Sequence, residues 1–300
     1  MADEPLDPRP VTRLDRKVSN AGMEIADFDH DRPEYLHALL CQVGLPRART
    51  AAREFTRSAG AASLLVTAGK RYDGIRWVDC PLPYGTKPRL TLLHLCSEAV
   101  RTKSPHIDVS AGIKPFLASL GLQLSGQNWR SILSQMGYLA ASEMAFAWSS
   151  NGRITQTRVN PIETFSAWES RTETQSSFWP DELELSPKFY NTLVEHAVPL
   201  DPRAIQALQS SALAMDVYAW LAHRLYRVRR RDGVKLSWAN LRDQFGHEYA
   251  ASKDFKKEFR PALRKALCVY PDAHVSEEAG GIRLYASPPP IKKSTVTTLR

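Results

Sequence analysis

From Lys87 onward, the apolar positions change period in a fixed order. In RLTLLHLCSEAVR (89–101), Leu92, Leu93, Leu95, Cys96 and Val100 recur at helical spacing and predict a buried helix. A short β piece follows at 107–109. Ser110 can cap a second helix that runs to Leu120 and stops at Gly121. A third helix is predicted over 126–141. EMAFAWSSNGRITQTRV (143–159) then alternates with period two around Asn151-Gly152, a strong hairpin signal. Phe165–Trp168 would end the sheet of this segment, and Pro187 would start a further short helix at its first turn.

The same order returns. SALAMDVYAWLAHRLYRV (211–228) is a periodic helix, 234–236 a short strand, and Ser237 caps a helix ending near Phe245 before Gly246. SKDFKKEFRPALRKALCVY (252–270) is the third helix, and AHVSEEAGGIRLYAS (273–287) the hairpin around Gly280–Gly281. Capping serine to hairpin glycine runs from 110 to 152 in the first copy and from 237 to 280 in the second. Helix, strand, helix, helix, hairpin is the order of a winged helix. The fold expected is α+β, mainly helical, with two tandem winged-helix domains at 61–170 and 181–290. A polar linker at 171–180 and a flexible tail at 291–300 complete the plan.

Residues 1–60 read as a partly disordered extension with helices. The Pro-, Asp- and Arg-rich segment 1–20 is the disordered part. Weak helical patterns cover 32–57 and 48–63, with Arg47, Arg49, Arg53 and Arg57 marking a solvated face. Ser63–Thr67 is a strand, followed by a turn over Gly69–Gly74.

Charge sharpens this picture. Residues 201–300 carry 18 Lys and Arg against 10 Asp and Glu, whereas residues 1–200 carry 22 of each, so the whole excess of +8 sits in the last third. Charge concentrated on one region is the footprint of phosphate neutralisation. On a helical wheel of 252–267, Phe255, Phe259, Ala262, Leu263, Ala266 and Leu267 share one face. Lys253, Lys257, Arg260 and Arg264 take the opposite face, with Lys256 at its edge. A recognition helix in a major groove needs that division, and a solvated surface helix would normally mix both signs. Pro261 conflicts with this helix, because an interior proline removes a hydrogen bond and either kinks or shortens it.

Arg227, Arg229, Arg230 and Arg231, in RLYRVRRR, suit the C-terminal end of the preceding helix and phosphate contacts. Arg283 is placed like a wing cation, or is simply solvated. The first copy's third helix would expose Gln127, Asn128, Arg130, Ser134 and Gln135. That polar face suits secondary DNA or partner contacts through Gln127, Asn128 and Arg130.

Four separated cysteines (Cys41, Cys80, Cys96, Cys268) read as reduced thiols, mostly buried, in a cytoplasmic protein. MADEPLDPRP does not read as a signal sequence, and no membrane span is expected. GxxxxGK[ST], GxGxxG after a strand, HExxH, GxSxG and paired-His metal motifs are all missing, and His94 and Glu98 read as an ordinary polar pair. The expectation is a non-enzyme with no cofactor and no metal.

LPYGTKPRLTLLHLCSEAVRTKSPHIDV (82–109), FWPDELELSPKFYNTLVEHAVPLD (178–201), ALAMDVYAWLAHRL (212–225) and the continuation VKLSWANLRDQFG through DFKKEFRPALRKALCVYPDAHV (234–275) resemble plasmid-encoded RepA-type replication initiators. The similarity covers about 60–290, with Pro261 the departure noticed. The resemblance implies tandem winged helices that bind repeated origin sequences (iterons) in double-stranded DNA, distort the duplex and help load the host replicative helicase. It also implies a switch between a homodimer that represses its own promoter and an initiating monomer, and contacts with host initiator proteins. A winged-helix transcriptional repressor without an initiation role stays open as the alternative.

Overall fold

A computed structural model describes residues 12–29, 32–72, 74–150, 152–167 and 179–291. Most of the expected linker and nearly all of the expected tail lie outside these residues, as do Asn151 and residues 1–11. The elements are α1 (Arg13–Asp27), β1 (Glu34–His37), α2 (Ala38–Gln42), β2 (Glu54–Ala59), β3 (Ala62–Thr67), β4 (Lys70–Tyr72) and β5 (Trp77–Asp79). Then come α3 (Thr86–Thr102), β6 (His106–Asp108), α4 (Ile113–Ser119), α5 (Gly126–Ala140), β7 (Glu143–Ser150), β8 (Arg153–Val159), β9 (Thr164–Ala167) and β10 (Pro180–Glu184). The chain continues through α6 (Pro187–His196), β11 (Ala197–Leu200), α7 (Pro202–Leu208), α8 (Ala212–Leu225), β12 (Val234–Ser237), α9 (Trp238–Phe245), α10 (Ser252–Cys268), β13 (Val275–Glu278) and β14 (Gly281–Leu284). The class is α+β, and the order helix, strand, helix, helix, hairpin occurs twice.

The two occurrences share a three-stranded order but take the hairpin for it from different places in the chain. In the second, β12 lies beside β14 in the order β12-β14-β13, so the short strand closes onto its own hairpin. In the first, β6 pairs with β10, which also pairs with β9. The β7–β8 hairpin instead joins the N-terminal strands in the order β2-β3-β7-β8. Ser110 does not cap α4, whose N-cap is Gly112. The Ser110 backbone N–H is held by Asp108 Oδ1 at 2.8 Å instead. Ser186 and Pro187 open α6 as the proline position predicts.

Four N-terminal expectations are corrected. The disorder expected through residue 20 gives way to α1 from Arg13. Thr12 and Asp15 form a capping box, and Leu14, Val18, Ala21, Gly22 and Ile25 form an apolar stripe hidden in a polar composition. Gly22 lies so close to α10 that a Cβ there would meet the Cys268 carbonyl oxygen at 2.2 Å. The helix expected over 48–63 is the β2–β3 hairpin, turning at Gly60 with φ +58°. Pairing with β7 overrides the helix propensity of its alanines and arginines. The helical reading of 32–57 also fails at β1, which pairs with β11.

The solvated arginine face is corrected at Arg47 and Arg57, whereas Arg49 and Arg53 are exposed as expected. Arg57 is 1% exposed, and the Arg47 and Arg89 side chains are nearly as buried. All three converge on α8. This helix is apolar almost all round and buried accordingly, and Asp216 is the one acidic residue it carries. Arg89 Nε and Nη2 donate to the two Asp216 carboxylate oxygens at 2.7 and 2.8 Å. Its remaining N–H groups reach the carbonyls of Leu45, Pro46 and Gly85 at 2.6, 3.0 and 2.7 Å. Arg47 and Arg57 each stand 3.7 Å from Asp216 and also pair with Glu248, at 2.6 and 3.2 Å. Burial first, and then the Arg47 charge, lower the Arg57 pKa to about 10. Gly44 leaves room for the carboxylate, since a Cβ there would sit 2.8 Å from it.

Removing one partner of a buried ion network leaves uncompensated charge in a dry site. Asp216→Asn is therefore expected to cost about 3–5 kcal/mol of stability in urea unfolding; a loss below about 1 kcal/mol would contradict the role assigned to this network.

Two histidines make a pH prediction. His37 is stacked against Phe146 and Phe189, each at 5.4 Å. Burial, reinforced by His196, lowers its pKa to about 4. Burial, reinforced by Arg227 and Arg224, lowers that of His223 to about 4 as well. The unfolded chain takes up these protons below about pH 6.5 and the folded chain only near 4. Their stabilisation is therefore complete above pH 6.5 and is lost as the pH falls toward 4, by about 1–3 kcal/mol per ring. Urea midpoints at pH 7, 5.5 and 4.5 should fall in that order, and less steeply for His37→Gln; parallel curves for the two proteins would contradict the assignment.

Candidate nucleic-acid interface

The second occurrence builds its outer surface from a few local rules. Ser237 caps α9 reciprocally: its hydroxyl accepts from the Asn240 N–H at 3.1 Å, and Asn240 Oδ1 accepts from the Ser237 N–H at 3.2 Å. Gly246 ends α9, and the chain re-enters at α10. The inward face of α10 buries Phe255, Phe259, Ala262, Leu263 and Ala266. Phe259 touches the rings of Phe255, Phe245 and Trp238 at 5.1, 5.4 and 6.2 Å. This aromatic packing fixes which side of α10 faces outward.

That side exposes Lys253, Lys257, Arg260 and Arg264. Lys256 is half-buried, its Nζ 5.5 Å from the Trp238 ring centroid, and the Arg260 guanidinium lies 5.1 Å from the same ring. The first residue of α9 is thus a platform under two cations of α10. Arg260 also pairs with Glu277 of β13 at 2.6 Å, joining the helix to the hairpin. The helix is unbroken through Pro261, so the proline does not shorten it and both cation clusters keep one face.

The other predicted cations are placed differently. α8 ends at Leu225, so Arg227, Arg229, Arg230 and Arg231 lie in the loop before β12 and not on the helix end. Arg227 Nη1 donates to the His223 carbonyl at 2.6 Å, Arg229 sits 5.9 Å from the Tyr226 ring, and Arg230 pairs with Asp232 at 3.0 Å. Arg231 is exposed. Arg283 lies within β14, opposite Ser276, and not at the Gly280 turn. It forks onto the two Glu278 oxygens and donates to the Asp232 carbonyl at 2.8 Å. The Arg283 hydrogen bond holds the Glu278 carboxyl below its usual pKa.

Alternation along the strands puts Lys235, Glu278 and Arg283 on one face of the small sheet, whereas Glu277, which holds Arg260, belongs to the other face. The structure therefore brings the α10 cations together with Trp238 and the hairpin turn. Arg230 and Arg283 belong to a self-neutralised cluster with Asp232 and Glu278.

On α5, Gln127 and Arg130 are exposed. Asn128 is occupied locally, its amide donating to the Gln123 carbonyl at 2.8 Å. Gln135, expected outside, is buried and accepts from the Tyr84 N–H at 2.9 Å, because its face of α5 packs on the turn before α3. His94 packs edge-on to Phe116 at 5.1 Å, and Glu98 pairs with Arg101 at 2.7 Å. Among the described residues, no three His, Cys, Asp or Glu side chains are grouped as metal ligands, and no helix is long and apolar enough to cross a membrane.

Comparison with known proteins adds two findings. The described fold resembles a crystal structure of domains 2 and 3 of RctB, with a TM-score of 0.51 and 13% identity, over 82% of this chain and 95% of that one. A second structure of the same two domains gives 0.48 and 12%, over 82% and 94%. At such identity the likeness is one of fold alone. No curated protein matches the sequence. The family model for plasmid-encoded RepA proteins matches residues 82–240, more than half of the chain, and the chain belongs to that family of plasmid replication proteins.

Proposed function

We propose that this protein initiates plasmid replication by binding repeated origin sequences in double-stranded DNA, without catalytic chemistry of its own. The observation that carries the reading is the outer face of α10. Four exposed cations of one sign stand on a helix whose other face is locked into an aromatic core. The strand order β12-β14-β13 around it supports a winged helix at 181–290, with α10 as the recognition helix and β13–β14 as the wing.

In this reading Lys253, Lys257, Arg260 and Arg264 meet base edges and phosphates, and Lys256 and Trp238 support them. Arg229, Arg230 and Arg231 reach flanking phosphates, while Arg283 positions the wing through Glu278. The repeat over 61–170 is the second winged helix, its sheet completed by β10, and Gln127, Asn128 and Arg130 contribute geometry or partner contacts. Origin opening, loading of the host helicase and a dimer–monomer switch follow from the family resemblance.

The test is binding of the full chain to repeats from its own replicon across a salt series. Arg260→Ala and Arg264→Ala should each weaken binding by about 1–3 kcal/mol if they read bases, and each should reduce the slope of log K against log salt by about 1. Unchanged affinity and slope would refute α10 as the recognition helix. The same variants should fail to maintain a plasmid that depends on this gene; normal maintenance would point to a repressor instead.

A further inference from the structure

The β4–β5 hairpin has no counterpart in the second occurrence. It pairs over only three residues a side, Lys70 with Asp79, Arg71 with Val78 and Tyr72 with Trp77, and forms its own two-stranded sheet. Such a ribbon is marginal by itself, and its root is held from outside. Arg53 donates to the carbonyls of Ala68 and Cys80 at 2.8 Å each and to that of Gly69 at 3.2 Å, clamping both strands where they leave the body. Gly69 lies so close to the end of α5 that a Cβ would meet the Ala141 carbonyl oxygen at 1.9 Å. The Arg71 stem passes 3.6 Å from the Cβ position of Gly137 on α5. Alternation along a strand then puts Arg71 and Val78 on the face toward α5, and Lys70, Tyr72, Trp77 and Asp79 on the outer face.

That outer face is anomalous for a soluble surface. Tyr72 is 54% exposed, Trp77 66%, and Ile75, beyond the Gly74 turn, 88%. Of nine exposed large hydrophobic residues among those described, three fall on this one hairpin. The two aromatic rings meet at 5.7 Å and 55°, so each keeps a broad face open to solvent. Cations surround them. Lys70 and Arg53 stand at the root, sharing Asp79 at 3.8 and 3.3 Å, and Arg76 is exposed beside the tip.

Aromatic faces set among cations suit a polyanion whose bases are unstacked, because every base has a π-face and every base brings a phosphate. An apolar protein groove would not call for the cations, and an intact duplex offers no base faces to stack on. We propose that the β4–β5 hairpin binds single-stranded DNA, with Trp77 and Tyr72 stacking on bases and Lys70, Arg53 and Arg76 meeting the backbone. This goes beyond duplex recognition by α10 and does not depend on it, since the residues involved are entirely separate.

The experiment measures anisotropy of a labelled oligothymidylate of about 20 nucleotides, with the replicon's repeat duplex in parallel, using the full chain. Trp77→Ala and Tyr72→Ala should each weaken oligothymidylate binding roughly tenfold, leave duplex affinity unchanged, and preserve the circular dichroism spectrum. Trp77→Phe should restore most of the loss. Arg264→Ala should show the opposite pattern, which separates failure of this proposal from failure of the duplex reading. No binding of oligothymidylate by the native chain, unchanged binding by the alanine variants, or an equal loss on the duplex would each overturn it.

Discussion

Three guanidinium groups converge on two carboxylates inside this protein, and the placement of α8 against β2, α3 and the α9–α10 connection depends on that meeting. Asp216 is planted in the middle of α8, a helix otherwise built to be buried. Its partners come from the turn after α2, from β2 and from the start of α3, and Glu248 adds the connection between α9 and α10. Dehydrating five charged groups is expensive, and their attraction offsets that cost only in well-made geometry. Arg89 meets the requirement with two bonds to Asp216 and three to carbonyls. The network is thus weak evidence for high stability but strong evidence for a single register, because any shift of α8 against α3 would strand a buried charge. It also ties the cationic unit to the neutral one, since Glu248 opens the segment that leads into α10.

The parts of the fold legible in the sequence were those governed by local rules. Serine 237 followed three residues later by Asn240, Pro187 at a helix start, and the period of α8 and α10 all act within one or two turns. The β-hairpin glycines 152 and 280, with φ of +74° and +88°, act within two residues. What the sequence concealed is non-local. Arg57 alternates with polar neighbours as a surface residue would, and only the arrival of Asp216 and Glu248 from more than 150 residues away makes its burial tolerable. The helix α1 hides in a charged composition because its apolar stripe is thin and uses a glycine, whose role is visible only once Cys268 lies against it. The cations of α10 could be grouped by a wheel, but the Trp238 platform and the Glu277 contact come from neighbouring elements and leave no periodic trace.

Charge counting and charge placement also differ in what they can say. The excess of the last third identifies a region, yet several of its cations are already committed: Arg283 to Glu278, Arg230 to Asp232, Arg260 in part to Glu277. A pair at the surface is worth little in water and is readily exchanged for a phosphate. A forked pair that also binds a backbone carbonyl, as Arg283 does, is a poorer candidate for exchange because it would give up three hydrogen bonds at once. The α10 face is the more available of the two clusters for this reason, not because it has more cations.

The two occurrences of one element order show how far order alone constrains a surface. In the second, β12 closes onto β14, and the hairpin stays at the edge of a three-stranded sheet, beside the cationic helix. In the first, β6 is taken by β10, which frees the β7–β8 hairpin to extend the β2–β3 sheet and draws it into the body. Order along the chain therefore misleads here, because the strand order β12-β14-β13 is repeated as β6-β10-β9 and not by the hairpin that directly follows α5. With β7 committed to β3, the hairpin that pairs with the short strand β6 in the first unit is β9–β10, not β7–β8. The chain leaving β3 turns at the end of α5 and projects β4 and β5 there. A surface beside the third helix is thus occupied in both units, by different segments with different chemistry: paired acids and arginines in one, open aromatic faces among cations in the other.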